Sequence, residues 1–144
     1  MIRPANSQDL PRLIDLIALL FASESDFTID QGKQKRGLEL VMSSPLGTVL
    51  VIEDSGLIVG MISGQMVFST SEGAPSVWVE DVVVDPLYRG RRHGTALLKA
   101  LEEWGRSQGA TRFQLLADED NLGAHSFYQM KGWKTTHLKA WRKT

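Results

Sequence analysis

The 144-residue sequence contains no cysteine. This absence excludes a disulfide framework, a zinc site with thiolate ligands and a catalytic thiol. A chain without disulfides suits a reducing compartment, and we expect a cytoplasmic location. A domain of this length buries enough surface to fold without disulfides or metal, so we predict a single domain spanning residues 1–144.

Neither sign of charge is in surplus, because 16 basic residues face 17 acidic ones for a net charge of −1. A protein that binds the nucleic-acid backbone needs a basic surplus, so we expect no nucleic-acid partner. His93, His125 and His137 lie far apart in the sequence and lack the short spacings of metal ligands. We therefore predict no metal site.

Long apolar runs are also missing. The most apolar stretch, Leu10 to Ala22, is interrupted by Pro11, Arg12 and Asp15 and is too short to span a bilayer. The first residues lack the charged leader and apolar core of a signal peptide. We expect no membrane partner.

The pattern of apolar residues predicts a mixed α/β sheet with helices on its faces. Two segments rich in β-branched residues flank Ser55-Gly56, which indicates a hairpin. The stretch from Ser69 to Ser76 carries turn residues and is predicted to be a mobile loop. Gly109 and Gly132 are expected just beyond helix ends. The predicted strands are 2–4, 47–54, 57–68, 77–84, 112–117 and 133–141, and the predicted helices are 10–22, 33–42, 96–108 and 121–131.

The most informative stretch, Val77 to Leu98, joins a valine-rich strand to a helix through a turn rich in arginine and glycine. Free N–H groups at a helix start form an anion site, which the helix dipole strengthens. Gly90 and Gly94 permit a close approach of the backbone, and the arginines carry charge suited to phosphate. The turn indicates a ligand with a pyrophosphate group. A solvated basic turn is an equally good interpretation of the turn alone.

Two motifs make this sequence similar to a known family. The turn resembles the Gln/Arg-x-x-Gly-x-Gly/Ala motif of GNAT acetyltransferases, with Arg89 and Gly94 at matching positions. Arg92 stands at the place of the first motif glycine, and we expect its side chain to take up phosphate charge. Residues 121–133, NLGAHSFYQMKGW, are similar to the family's Asn-x-x-Ala-x-x-Phe-Tyr…Gly-Phe segment. The motifs occur in the expected order and separation, and the resemblance covers the whole chain.

The resemblance implies the GNAT fold, a central, mostly antiparallel twisted sheet with splayed middle strands and helices on both faces. It also implies acetyl-CoA as the co-substrate, with the pantetheine arm lying in the gap like an added strand. Backbone groups of three valines would bind this arm, residues 89–95 would hold the pyrophosphate, and Asn121 would lie near the reactive end. The cofactor-binding residues so implied are Val82, Val83, Val84, Arg89, Gly90, Arg91, Arg92, His93, Gly94, Thr95, Asn121 and Tyr128.

Glu80 and Asp81 interrupt a strand that is otherwise apolar. Buried carboxylates are costly unless they are paired or used, and without a bulge only one of two successive strand residues can enter a given cleft. The run Val-Glu-Asp-Val-Val-Val resembles that of polyamine and thialysine-type members of the family. We therefore predict Glu80 as the catalytic base, acting through water, and Asp81 as a contact for a cationic substrate. The alternative is that both acids form structural salt bridges.

The family resemblance makes Tyr128 the acid that protonates the departing CoA sulfur. A phenol suits this role because it can donate a proton while it stays neutral at working pH. A core tyrosine beside Phe127 is the alternative.

Together these interpretations predict an N-acetyltransferase in which a primary amine attacks acetyl-CoA directly in a ternary complex. The expected acceptor is a small molecule, polyamine-like or amino-acid-like. Alternatives are acetylation of a protein N-terminus or lysine, and a non-catalytic acyl-CoA-binding module. A homodimer is also expected, with its contact in the tail from Lys134 to Thr144.

Overall fold

A five-stranded sheet with four helices makes up this computed structural model, which describes all residues from Met1 to Thr144. The strands follow one another across the sheet in chain order. None of the helices has the length and apolar character needed to cross a membrane. The chain divides into two compact units, Met1–Gln114 and Leu115–Thr144. The strands are β1 (Ile2–Pro4), β2 (Gly47–Asp54), β3 (Leu57–Ser69), β4 (Ala74–Val84) and β5 (Arg112–Leu115), and the helices are α1 (Leu10–Ala22), α2 (Gln31–Ser43), α3 (His93–Ser107) and α4 (Leu122–Met130).

The first four strands form successive antiparallel pairs. The predicted hairpin between β2 and β3 is confirmed, and its turn residues Ser55 and Gly56 have φ angles of 54° and 79°. Positive φ at both central residues is the geometry of a two-residue turn that matches the twist of the flanking strands. The fold is therefore the mixed α/β sheet that the sequence predicts.

The loop predicted from Ser69 to Ser76 is mostly a second hairpin. The register of β3 and β4 continues to the pair Ser69 and Ala74, so the turn is only four residues long, 70–73. Gly73 supplies the positive φ, at 63°. The prediction was wrong for residues 74–76 because Pro75 and its small neighbours have turn composition, whereas pairing with the facing strand decides their conformation.

Helices cover both faces of the sheet. On one face α1 and α2 bury Leu13, Leu16 and Leu38 against residues of β2 and β3. On the other face α3 lies so close to β3 that a Cβ on Gly64 would come within 2.9 Å of Leu101 Cδ1. This close packing fixes the position of α3, which begins in the turn rich in arginine and glycine.

Helix bounds match the predictions closely. The bounds of α1 are those predicted, and α2 and α3 begin two and three residues before the predicted Lys33 and Ala96. The earlier start of α3 follows from the backbone of Arg92, which turns the chain into the helix at φ 63°.

The unit Leu115–Thr144 contains α4 and no strand after it. Asn121 caps α4. Gly132 follows the helix end with φ 88°, as the sequence predicts. The strand predicted at 133–141 is wrong. All residues from 134 to 144 are exposed, so no burial stabilises an extended segment there. Leu138 and Trp141 are 82% and 96% exposed, and the homodimer contact placed on them stays a prediction.

Candidate active site

A β-bulge in β4 decides where the two candidate carboxylates point. The register pairs Ile62 with Val82 and Gly64 with Val79, so Glu80 and Asp81 together face the single residue Ser63. A bulge of this kind breaks the alternation of side chains along a strand. As a result, both carboxylates line the same cavity.

Asp81 is held by a reciprocal pair of hydrogen bonds with Ser63. The Ser63 hydroxyl donates to Asp81 Oδ2 at 2.8 Å, and the Asp81 amide donates to Ser63 Oγ at 3.2 Å. Burial raises the pKa of Asp81 to about 6, the Ser63 bond opposes this rise, and the charges of Glu80 and Glu24 add to it. A carboxyl group with a pKa near neutrality can exchange protons at working pH.

Glu80 is exposed but fixed in position. The indole of Trp78 donates from Nε1 to Glu80 Oε2 at 2.7 Å. Trp78 is half-buried and lines the cavity wall. A carboxylate held at the mouth of a cavity can attract an ammonium group.

The cavity beside the bulge has a volume of about 430 Å³. Helices α1 and α2 form one wall, and β3 and β4 form the other. Most of the lining surface is apolar, and both walls also contribute polar side chains. The lining residues are Ile17, Phe21, Lys33, Gln34, Gly37, Leu38, Leu40, Val41, Ser63, Gln65, Trp78, Glu80 and Asp81.

A second cavity, of about 540 Å³, lies between α1 and residues 85–87. Its Arg12 and Asp85 pair with each other at 2.8 Å. Because this ion pair lowers the pKa of Asp85, that carboxyl group is a poor proton acceptor. We therefore place the chemistry in the cavity beside the bulge.

The first turn of α3 offers backbone donors for an anion. No side chain caps this helix, and the amides of His93, Gly94 and Thr95 have no acceptor within the protein. Gly90, just before the helix, has a φ of 78° that a residue with a Cβ rarely adopts. These features are those of a phosphate site at a helix N-terminus.

Asp54, at the end of β2, anchors this turn. Its carboxylate accepts from His93 Nε2 at 3.0 Å and from Arg91 Nη1 at 3.1 Å. These bonds, with one from Ser55, hold the pKa of Asp54 below its usual value. The side chains of Arg91 and His93 are thus turned toward Asp54, and Arg89 donates a long bond of 3.4 Å to Val84 O.

Arg92 occupies a left-handed backbone conformation, with φ 63° and ψ 17°. Glycine adopts this conformation without strain, which explains why the family motif has glycine at this position. We expect Arg92→Gly to raise the unfolding free energy by roughly 1 kcal/mol, because it removes the crowded Cβ. Urea unfolding measures this change. Arg92→Ala is the matched control, since it removes the same charge and keeps the Cβ; an equal gain in both variants would contradict the explanation.

One edge of β4 is open at the valines predicted to bind pantetheine. Thr111 N donates to Pro75 O at 3.1 Å, so β5 lies beside the start of β4. Val82 is six positions beyond Ser76, about 20 Å along the strand, and the four residues of β5 cannot extend that far. Within residues 1–114 this edge has no partner strand at Val82 and Val83.

In the second unit, Asn121 Oδ1 accepts from Ala124 N at 3.1 Å and so caps α4. The sequence prediction did not include this structural role. Tyr128 is half-buried, and its ring packs against Phe127 and Trp133 at centroid distances of 5.3 and 5.8 Å. A substitution at Tyr128 that keeps the ring can therefore keep these contacts.

Comparison with known proteins identifies the family. The model of the acetyltransferase (GNAT) family matches residues 15–133. The chain belongs to the GNAT family. It is therefore an acetyl-transferring enzyme, as the motifs around Arg89 and Asn121 predict.

Two curated relatives share the N-acetyltransferase activity in their names. Aminoalkylphosphonate N-acetyltransferase of Salmonella typhimurium is 28% identical over 96% of this chain and 87% of its own length. Glucosamine 6-phosphate N-acetyltransferase of Trypanosoma brucei brucei is 37% identical over 57% of this chain and 54% of its own length. Among solved structures, an aminoglycoside N-acetyltransferase in complex with CoA has a TM-score of 0.84 and 17% identity, with 100% of this chain and 93% of that one covered. This last similarity supports the fold.

Two of the cavity residues that sequence reasoning missed, Ser63 and Lys33, matter for the chemistry of the site. Ser63 gives no signal in the sequence, because its role depends on the register of β3 against the bulge. Lys33 was expected to start a helix, and only the packing of α2 beside the sheet brings it to the cavity wall.

Proposed function

We propose that this GNAT enzyme transfers the acetyl group of acetyl-CoA to the primary amine of a small molecule bound in the cavity beside the β4 bulge. The observation that carries the proposal is the pair Glu80 and Asp81, which line one cavity next to an open strand edge. The volume of about 430 Å³ lies in the range of small-molecule sites.

Acetyl-CoA would supply the acetyl group as a reactive thioester. The free amides at the start of α3 would hold its pyrophosphate, and the open edge at Val82 and Val83 would bind the pantetheine arm. The geometry fits both groups because the amides lack acceptors and the edge lacks a strand. Gly90, Arg89 and Arg92 would complete the phosphate site.

The proton of the amine goes to a carboxylate of β4. An alkyl ammonium has a pKa of about 10 and must lose its proton before the amine can attack. We assign this step to Asp81, whose pKa of about 6 lies nearer neutrality, and assign the binding of the ammonium to Glu80. The sequence prediction gave Glu80 the role of base, and comparison of variants at both positions will separate the two assignments. Tyr128 Oη is proposed to donate a proton to the departing sulfur.

The relatives favour a small acceptor over a protein. Their names specify an aminoalkylphosphonate and glucosamine 6-phosphate, both small amines. The cavity volume of about 430 Å³ also suits a small molecule, and Ile17, Leu38 and Val41 line its helix side.

Release of CoA from acetyl-CoA, measured with a panel of amines, tests the proposed function. We expect release that depends on the amine and yields an N-acetyl product by mass spectrometry. Tight binding of CoA without turnover on any amine would instead favour a non-catalytic binding module. Acetylation of proteins alone would favour the protein-directed alternative.

A further inference from the structure

The cavity beside the bulge carries opposite charges on different elements. Glu80 and Asp81 lie on β4, and Lys33 lies in the first turn of α2. Glu80 and Asp81 together can bind the ammonium group of the acceptor. The positive charge of Lys33 in the same cavity therefore indicates a second, negatively charged group on the acceptor.

Lys33 is the unpaired lysine of its helix. Its ammonium group makes no ion pair or hydrogen bond, whereas Lys35 in the same helix pairs with Glu39 at 3.2 Å and Lys99 in α3 pairs with Glu103 at 3.8 Å. Glu80 is bonded to Trp78 and Asp81 to Ser63, so neither acid is committed to Lys33. The charge of Lys33 is therefore available to a ligand.

We infer that the acceptor is an amine that also carries one anionic group, a carboxylate or a phosphonate, and that Lys33 binds this group. The inference rests on the proposed function and names its substrate class. The ammonium end of such a molecule lies against Glu80 and Asp81, and its anionic end meets Lys33. A diamine of the same length would bring a second ammonium toward Lys33, where like charges repel.

A series of acceptors with equal spacing tests the inference. The compounds are 3-aminopropanoate and 3-aminopropylphosphonate as anions, 3-aminopropanamide as the neutral analogue, and 1,3-diaminopropane as the dication. We expect kcat/KM to be highest for an anion and to fall by about tenfold or more for the amide and further for the diamine.

Variants at Lys33 then assign the preference to that residue. Lys33→Gln should abolish the advantage of the anion over the amide, mainly through KM, and Lys33→Glu should make the diamine the better acceptor. Lys35→Gln is the matched control, because Lys35 belongs to the same helix but is paired outside the cavity; it should keep the wild-type order.

The outcomes separate the inference from the proposed function. Turnover of the amide or diamine at least as fast as that of both anions, or an anion preference that survives in Lys33→Gln, overturns the inference and leaves the acetyltransferase activity standing. Failure of the wild-type enzyme to acetylate any amine, in this series or a broader panel, overturns both.

Discussion

Asp81→Asn is expected to lower kcat/KM by roughly 10²- to 10⁴-fold, the usual contribution of a general base. The amide cannot accept the proton of the bound ammonium group. It still fills the same space beside Ser63 and can accept the Ser63 hydroxyl hydrogen that Asp81 Oδ2 now accepts at 2.8 Å. The loss should therefore come from the missing proton acceptor and not from a disturbed bulge. Steady-state kinetics with a fixed acceptor measure it.

The pH dependence of kcat/KM gives this prediction its sharpest form. In the wild-type enzyme Asp81 must be ionised to act, so activity should rise with pH through about 6, the pKa that burial gives this group. Asp81→Asn should lose that rise. Glu80→Gln should raise KM and retain the rise at a lower pH, because the charge of Glu80 contributes to the raised pKa of Asp81. If Glu80→Gln loses the rise and Asp81→Asn keeps it, Glu80 is the base, as the sequence prediction had it.

Asp81→Asn should also stabilise the fold at neutral pH. The pKa of Asp81 is about 6 in the folded protein and near 3.8 in the unfolded chain, so folding favours the protonated form. As pH rises from about 4 through 6, the unfolding free energy of the wild-type protein should fall by roughly 2 to 3 kcal/mol. The Asp81→Asn variant should keep this free energy because its amide stays uncharged. The difference in unfolding free energy between Asp81→Asn and wild type should thus grow over this pH range. A constant difference would show that Asp81 is not desolvated.

This cost also explains why a carboxylate in the bulge is evidence of function. An acid that destabilises the folded protein at neutral pH contributes nothing to the fold that an amide could not supply. Strained and desolvated groups of this kind cluster at catalytic sites, where the chemistry requires them. Arg92, in a conformation that glycine prefers, is a second such position and lies in the turn that we propose to bind the pyrophosphate.

Local chemistry explains which parts of the fold the sequence could predict. Ser55 and Gly56 form a turn by their own backbone preferences, and the apolar spacing of α1 by itself gives its bounds. In contrast, Ala74–Ser76 are extended because they pair with β3, and residues 133–141 have no partner strand. Strand pairing is non-local, so neither outcome could be read from the residues involved.

The candidate site also has one part that the sequence predicts and one part that it does not. The turn proposed to bind the pyrophosphate lies within one short stretch, residues 89–95, so its glycines and helix start were predictable from the motif. The cavity is assembled from α1, α2, β3 and β4, which are distant in sequence. The shared direction of Glu80 and Asp81 depends on one register shift opposite Ser63, and a strict alternation of strand residues would have separated them.

Tyr128→Phe is the second substitution with a large expected effect. Loss of the hydroxyl should lower kcat by about 10²-fold or more, because the departing sulfur then lacks a proton donor. The affinity for CoA should change little, since the phenyl ring retains the contacts with Phe127 and Trp133. Turnover measured with saturating substrates, together with calorimetric titration of CoA, separates these two effects.

The chain offers a matched control in Tyr88, its only other tyrosine. Tyr88→Phe makes the same chemical change in a residue whose ring contacts Arg91 at 5.1 Å, and that contact needs no hydroxyl. Only Tyr128→Phe should lower kcat, because Tyr128 is the residue proposed to donate a proton in the chemical step. Equal turnover in both variants would remove Tyr128 from the mechanism and leave the protonation of the sulfur to water.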